Sequence, residues 1–485
     1  LKALFLGYFN VFHGSIPMEL GSIHNLEVLD LSESGLNGMI PPSLGYLTKL
    51  NTLFLQNNSF TGSIPSRLGR ISSLKSLDLS NNYLSGTIPI ELCDLVELEL
   101  LGLLYNHIHG SIPDCIGTLP KLEVLKLFNN NLSGQIPARL GHMNPRLRQL
   151  DLSYNALSGP IPPHLCHGKN LEWLLLLENR ISGQIPFALG FCESLTRIRL
   201  GSNELSGSIP SGFFFFPRLD ILELSSNNLQ GLALPDFSHN VSVVSIINLA
   251  NNHLIGPLPL SMGNMRGLEK LDLSNNRING TIPDQIGLLS EHLSTLDLSR
   301  NLITGALPDS IAQCIHLSIL NVSGNALSGE IPGPIQEMSQ LSVIDLSFNN
   351  FSGAIDPSSS EGGSRFTGNL LRGNPLLCGD LVSRPCIGNV NSSFGDSQAF
   401  GMNPMANVKL IGIPLLAFML ASMLMSVGIL YGIRSSSSFR GALHSTWFNL
   451  KKSGIDRWWC CKMMMKKKKR RASSGWKLVK FETLD

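Results

Sequence analysis

A motif of the form LxxLxLxxNxLxGxIPxxL returns every 24 or 25 residues from Leu26 onward. An irregular unit, residues 1–25, precedes it, and there the spacing slips by one residue. No single unit can bury its own leucines, but stacked units can, because each row of leucines covers the next. The period therefore predicts one solenoid, where the length of 485 residues would otherwise suggest about three globular domains. The first apolar residue of the motif stands at Leu26, Leu50, Leu74, Leu98, Leu122, Leu147, Leu171, Leu195, Leu219, Val244, Leu268, Leu293, Leu317 and Leu341.

Each unit contains one short strand in which alternate leucines, such as Leu77 and Leu79, point inward. The following asparagine, Asn82 in that unit, can bond the backbone where the chain bends. The Gly-x-Ile-Pro segment then extends the chain before it returns on the convex side. The predicted fold is an α/β leucine-rich-repeat solenoid, curved, with a parallel β-sheet on its concave face, over residues 1–373. The chain begins within a repeat, from which we expect an N-terminal cap to be missing.

These repeats resemble the plant subtype of extracellular leucine-rich repeats found in receptor kinases and receptor-like proteins. Beyond the last repeat, the run Asn374-Pro375-Leu376-Leu377-Cys378-Gly379 followed by Cys386 is similar to the C-terminal cap of that family. The resemblance implies a cap over residues 374–387 with a disulfide between Cys378 and Cys386, which an oxidising compartment would permit. Two free thiols are the alternative.

Five further cysteines lie singly on the convex side of different repeats. We expect them to be buried small apolar residues rather than metal ligands, and we expect no metal and no cofactor. They are Cys93, Cys115, Cys166, Cys192 and Cys314.

The charge distribution and one apolar segment predict a membrane protein. Residues 410–433 carry no charge and are long enough to cross a bilayer as a single helix. Lys and Arg number 23 against 32 Asp and Glu before Arg434, and 14 against 3 from Arg434 onward. This asymmetry places the N-terminal part outside the cell and the tail inside under the positive-inside rule. We therefore predict a single-pass plasma-membrane protein with an extracellular N-terminus, and a flexible stalk over residues 388–409.

The predicted cytoplasmic tail, residues 434–485, is strongly basic. Its run of six Lys and Arg from Lys466 to Arg471 favours contact with anionic lipids of the inner leaflet over nucleic-acid binding. Cys460 and Cys461 are candidates for S-acylation, and unmodified thiols are the alternative.

Seven Asn-x-Ser/Thr sequons all precede the apolar segment, as in a secreted, glycosylated ectodomain. They are at Asn57, Asn131, Asn240, Asn279, Asn321, Asn350 and Asn391.

No phosphoryl-transfer motif occurs in the chain, so we expect no enzymatic activity. Residues 475–485 resemble the juxtamembrane sequence that precedes the kinase domain in plant leucine-rich-repeat receptor kinases. The chain is therefore interpreted either as part of a receptor Ser/Thr kinase or as a receptor without a kinase.

The residues that flank the second leucine of each strand should project from the concave sheet. Most repeats place polar residues there, but four consecutive repeats place an apolar strip, which favours a binding surface. The strip consists of Leu100, Leu104, Tyr105, Val124, Phe128, Tyr154, Trp173, Leu175 and Leu177.

The next repeat places Arg197 and Arg199 on one face of a strand, roughly 6.6 Å apart. Two such guanidiniums can clamp a carboxylate. The pair resembles the Arg-x-Arg motif of plant peptide-hormone receptor kinases, which implies a secreted peptide whose C-terminal carboxylate binds there, and a shorter leucine-rich-repeat co-receptor kinase as partner. The alternative for the pair is solvated arginines or ion pairs with Glu178 or Glu223. The alternative for the protein is a defence receptor that recognises a microbial protein or wall fragment.

Overall fold

The solenoid predicted from the period is confirmed by a computed structural model that describes residues 1–8, 10–355 and 368–386. Fifteen strands, one per repeat, form a single parallel sheet along the concave face. In most of them the central residue is fully buried and its two neighbours are half-buried, because alternate side chains point to opposite faces of a strand. The strands are Ala3–Phe5, Val28–Asp30, Thr52–Phe54, Ser76–Asp78, Leu100–Gly102, Val124–Lys126, Gln149–Asp151, Trp173–Leu175, Arg197–Arg199, Ile221–Glu223, Ile246–Asn248, Lys270–Asp272, Thr295–Asp297, Ile319–Asn321 and Val343–Asp345.

A second layer of short parallel strands follows the turn of each repeat and forms four smaller sheets. These strands are Asn37–Met39, Ser59–Ser63, Tyr83–Ser85, His109–Ser111, Asn131–Gln135, Ala156–Gly159, Arg180–Gln184, Glu204–Ser208, Asn228–Gln230, Ile255–Pro257, Arg277–Asn279, Thr304–Gly305, Ala326–Glu330, Asn350–Ala354 and Leu376–Cys378.

The convex side is formed largely by single turns of 3-10 helix, most of which begin directly after the motif proline. Proline is favourable there because its fixed φ suits the residue before a helix and the missing N–H is not needed. The 3-10 helices are Met18–Ser22, Pro42–Tyr46, Ser66–Arg70, Ile90–Asp94, Asp114–Thr118, Phe187–Phe191, Ser211–Phe215, Leu260–Asn264, Asp284–Leu289, Asp309–Gln313 and Asp380–Val382, and the α-helices are Gly333–Glu337 and Gly368–Leu371.

A row of motif asparagines, the asparagine ladder, links each repeat to the one before it. The Asn82 amide nitrogen donates to the carbonyl oxygens of Leu55 and Leu79, both at 3.0 Å, and its oxygen accepts from the N–H of Phe60 at 3.0 Å. Each ladder side chain therefore satisfies buried backbone groups of two repeats, which would otherwise destabilise the fold. The members are Asn58, Asn82, Asn106, Asn130, Asn155, Asn179, Asn203, Asn227, Asn252, Asn276, Asn301, Asn325, Asn349 and Asn374.

The asparagine ladder makes equivalent hydrogen bonds in repeats of 24 and of 25 residues. Asn82 bonds groups 27 and 22 residues earlier, whereas Asn155, which closes a 25-residue repeat, bonds Leu127 and Leu132, 28 and 23 residues earlier. The extra residue lies on the convex side, so that the concave strands remain in register.

Both ends of the described solenoid depart from the motif. Ser34 stands in place of the ladder asparagine, and its backbone N–H is bonded by Asn58 of the next repeat. In the first unit the asparagine is displaced by one residue, and the Asn10 amide donates to the carbonyl of Leu6 at 3.0 Å. At the other end, Leu376–Cys378 pairs with Asn350–Ala354, and the Cys378–Cys386 disulfide closes the predicted cap.

The expectation that the five convex cysteines are single, buried apolar residues is wrong for four of them. Cys93 is bonded to Cys115 and Cys166 to Cys192, with Cα atoms 5.6 and 6.0 Å apart. The separations of 22 and 26 residues are close to one repeat, so each pair occupies neighbouring turns within disulfide range. Cys314 remains a buried free thiol, and burial raises its pKa to about 11.

Within the described ranges, no helix is both long and apolar enough to span a bilayer. The predicted transmembrane segment at 410–433, the stalk, the basic tail, Cys460 and Cys461 all lie outside those ranges.

Candidate ligand-binding groove

The in-register concave strands arrange equivalent residues in two rows, neighbours within a row being about 4.8 Å apart in the hydrogen-bonding direction. The first, the Trp173 row, runs through Val124, Gln149, Trp173, Arg197 and Ile221. The second, the Arg199 row, runs through Lys126, Asp151, Leu175, Arg199 and Glu223. The groove therefore places Trp173 beside Arg197 and Leu175 beside Arg199.

Three aromatic residues of the predicted strip form a continuous ladder at one edge of the groove. The ring of Phe128 meets those of Tyr105 and Tyr154 edge to face, with centroids 4.9 and 5.1 Å away. Tyr105 and Tyr154 are 47% and 46% exposed, and both adopt a positive φ at the turn before the ladder asparagine. This aromatic ladder offers ring surface across three consecutive repeats, and edge-to-face pairs hold the rings in place.

The aliphatic members of the strip are half-buried and lie nearby, but they do not form one unbroken surface. Leu100 and Val124 lie on one side and Leu175 on the other. The repeat between them places two polar residues, Gln149 and Asp151, on the concave face. Leu104 and Leu177, also half-buried, follow their strands by two residues. The predicted strip is thus interrupted at one repeat, where a ligand would meet polar groups.

Trp173 is packed between two cations. The guanidinium carbon of Arg197 lies 5.0 Å from the centroid of the Trp173 ring, and the ammonium nitrogen of Lys126 lies 5.6 Å from it. Both distances are within cation–π range. Arg197 makes no ion pair within the described part of the chain, so its guanidinium is oriented by the indole and not by a carboxylate.

Arg199 has a different environment. Its Nη2 lies 3.8 Å from Oε2 of Glu223, and its Nε is buried without a hydrogen-bond partner. Glu223 is held in turn, because its Oε1 accepts from the hydroxyl and the N–H of Ser225 at 2.5 and 3.2 Å. A Cβ at Gly201 would come within 2.7 Å of that same oxygen, so glycine there leaves room for the Glu223 carboxylate. An ion pair between Arg199 and Glu223, one of the alternatives considered for the arginine pair, is therefore present in the structure.

A second carboxylate, that of Asp151, lies in the Arg199 row between Lys126 and Leu175. Burial raises the pKa of the Asp151 carboxyl, while hydrogen bonds from Ser153 and the charges of Lys126 and Arg199 act in the opposite direction. With Lys126, Arg197 and Arg199 positive and Asp151 and Glu223 negative, the cluster has a formal charge of 3 − 2 = +1. One ligand carboxylate would neutralise it.

Beyond Glu223 the Arg199 row becomes acidic, with Asp272, Asp297 and Asp345 on the strands that follow. Burial raises the pKa of the Asp272 carboxyl, and the negative charges of Asp297 and Glu223 add to that shift. An anionic group is therefore favoured at the arginines and disfavoured farther along the groove.

Five of the sequon asparagines are exposed: Asn57, Asn131, Asn240, Asn279 and Asn350. Asn321 differs, since it is half-buried in a concave strand and its amide donates to Oδ2 of Asp297 at 3.0 Å. Asn391 lies outside the described ranges.

Three leucine-rich-repeat family models match the chain. One described as a leucine-rich repeat region covers residues 1–226, and two leucine-rich repeat models cover residues 267–289 and 291–351. No kinase model is among the matches, and no curated protein sequence matches the chain significantly.

Several solved structures of plant receptors are similar to the chain. PEPR1 bound to AtPEP1 is 34% identical over 77% of this chain and 56% of that one, with a TM-score of 0.70. The TDR receptor is 35% identical over 79% and 69%, with a TM-score of 0.69. The Arabidopsis receptor kinase HAESA, in complex with the peptide hormone IDA and the co-receptor SERK1, is 36% identical over 79% and 71%, with a TM-score of 0.63.

The chain belongs to the family of plant leucine-rich-repeat receptor ectodomains, as the identity and coverage against TDR and HAESA establish. It spans just over half the length of the PEPR1 chain.

Two features were not predicted from the sequence: the packing of Trp173 between Lys126 and Arg197, and the half-buried carboxylate of Asp151. The only signal was their position in the strand pattern, which puts them on the concave face but does not give the direction of a long side chain.

Proposed function

We propose that this protein is a cell-surface receptor whose groove binds an extended secreted peptide, with the peptide's C-terminal carboxylate at Arg197 and Arg199. The observation that carries the proposal is the placement of these two arginines on one strand, directly beside Trp173 and Leu175. Two cationic donors on a fixed strand match a carboxylate, and the apolar surface before them suits peptide side chains.

The charge pattern supports this direction for the ligand. The acidic residues beyond Glu223 oppose an anion there, so the carboxylate would stop at the arginines and the peptide would extend toward the aromatic ladder. The similar receptors solved with the peptides AtPEP1 and IDA support the same class of ligand.

Signalling would require a kinase, and the HAESA complex with SERK1 supports a co-receptor as its source. We place the protein in the plasma membrane through residues 410–433, with the basic tail at the inner leaflet.

The test is calorimetric titration of the compact unit Leu1–Val390 with AtPEP1 and IDA peptides, each with a free and an amidated C-terminus. Replacement of both arginines, Arg197→Ala with Arg199→Ala, should weaken binding by about 3 kcal/mol, roughly a hundred-fold, because charge-assisted hydrogen bonds are lost. The matched control replaces two exposed arginines off the concave sheet, Arg180→Ala with Arg266→Ala, and should bind as the wild type does.

Binding that survives both amidation and the double replacement would contradict the carboxylate clamp. Failure of every peptide to bind would favour the second candidate, a defence receptor for a microbial protein or wall fragment.

A further inference from the structure

Three histidines from two consecutive repeats meet on the convex face. The ring of His142 lies 5.3 Å from that of His164 and 4.8 Å from that of His167, measured between centroids. All three side chains are exposed. No part of the groove uses them.

The backbone holds the two histidine-bearing loops together. The Asn170 amide donates to the carbonyl of Pro145 at 2.9 Å, and a Cβ at Gly168 would lie 1.8 Å from that same oxygen. The Cys166–Cys192 disulfide ties the second loop to the following repeat. The spacing of the three rings is therefore set by rigid loops.

Three further cations lie on the same two convex loops as the histidines. Arg139, Arg146 and Lys169 are exposed, and none of them makes an ion pair or a side-chain hydrogen bond within the ranges that the structure describes. We call these three and the three histidines the convex basic cluster.

Few carboxylates face this cluster from the adjoining elements. Asp114, on the preceding 3-10 helix, lines a cavity with Arg139, and Glu193 follows Cys192. Glu97, whose pKa is lowered by its bond to Lys121 and also by the charge of Arg146, is already bonded to that lysine at 2.5 Å. With Glu97 paired to Lys121, Asp114 and Glu193 offset two of the three permanent cations, and the surface keeps a formal charge of 3 − 2 = +1.

A metal ion is not the ligand that this arrangement fits. No three His, Cys, Asp or Glu side chains converge as metal ligands anywhere in the described part of the chain. Exposed cations on a curved outer surface instead suit a ligand that carries repeated negative charges and binds without entering a cavity.

We propose that the convex basic cluster is a second binding site, for a linear polycarboxylate of the extracellular matrix, namely an acidic polysaccharide. The disulfides favour an extracellular solenoid, which argues against a nucleic acid or an inner-leaflet lipid as the partner. The site lies on the convex loops and does not depend on the peptide proposal. Salt screens exposed charges, so binding should be stronger at low ionic strength.

The experiment measures binding of a defined polygalacturonate fragment to immobilised Leu1–Val390 in low and in high salt at one fixed pH, with EDTA present to exclude bridging metal. We expect binding about ten-fold tighter in low salt, because exposed charges are screened when salt is raised. The variant Arg139→Gln, Arg146→Gln, Lys169→Gln should lose most of the binding and its salt dependence. The triple variant His142→Gln, His164→Gln, His167→Gln should also bind more weakly than the wild type.

A matched control replaces three exposed histidines from different repeats, His239→Gln, His253→Gln and His316→Gln, and should leave both the affinity and its salt dependence unchanged. Thermal unfolding would verify that every variant is folded. Three results would overturn the proposal: no binding by the wild type in low salt, equal losses in the control and the cluster variants, or tighter binding of phosphatidylserine vesicles than of polygalacturonate through the same residues.

Discussion

Glu223 forms an ion pair with Arg199, so a peptide carboxylate must compete with it. The 3.8 Å separation corresponds to about 4 kcal/mol at an effective dielectric constant of about 20, and to about 1 kcal/mol in water. The Arg199 side chain is 43% exposed, which places the interaction near the lower value. Replacement of Glu223 by Gln removes the competing charge and keeps an oxygen for Ser225. We expect the peptide with a free carboxylate to bind about five-fold tighter, the equivalent of about 1 kcal/mol.

The assay is calorimetry with whichever panel peptide binds the wild type, in its free and amidated forms. The amidated form should gain much less from the Glu223→Gln change, because it brings no charge to the arginine. Glu178→Gln is the matched control, since Glu178 is exposed, lies one repeat before Arg199 and makes no ion pair in the described ranges. Unchanged or weaker binding of the free peptide to Glu223→Gln would refute the competition and would mean that Glu223 orients Arg199 for the ligand.

Three further predictions concern stability, measured by urea unfolding of Leu1–Val390. Asn82→Ala should destabilise the solenoid by about 3 kcal/mol, because buried backbone groups of two repeats lose their partner; a change below 1 kcal/mol would contradict the ladder's role. Asp272→Asn should stabilise the solenoid by roughly 0.5 kcal/mol at pH 7, the usual scale for single surface substitutions. The reason is that the folded protein raises the pKa of Asp272, so the charged carboxylate destabilises the fold at neutral pH. Below about pH 3.9 the carboxyl is protonated in both the folded and the unfolded state, and the gain should vanish. Removal of either convex disulfide should lower the free energy of unfolding by about 3 kcal/mol. Alkylation of the denatured, unreduced unit should label Cys314 and no other cysteine of residues 1–386. Labelling of a second cysteine would contradict the pairing.

The repeat period predicted the solenoid and its parallel sheet because both depend on spacing that is written directly in the leucines and the ladder asparagines. The convex disulfides were missed for a related reason. Cys93 and Cys115 are 22 residues apart, and Cys166 and Cys192 are 26 apart. Neither separation equals the repeat length of 24 or 25 residues. Sequence spacing alone did not reveal that the convex turns bring both pairs within bonding range.

The candidate site was predictable in outline only. Strand alternation was enough to put Trp173, Arg197 and Arg199 on the concave face. It could not predict that Lys126 reaches Trp173 from two strands away, or that Ser225 and Gly201 hold Glu223 toward Arg199. Those contacts depend on rotamers of long side chains, which are decided by neighbours from other repeats.

The asparagine ladder has a consequence for how such a protein can change over time. Since an extra convex residue leaves the bonds of Asn155 equivalent to those of Asn82, the outer surface can gain or lose single residues while the groove keeps its register. The convex face of a repeat can therefore change in length and sequence while the concave face stays the same, and each face can acquire its own binding partner.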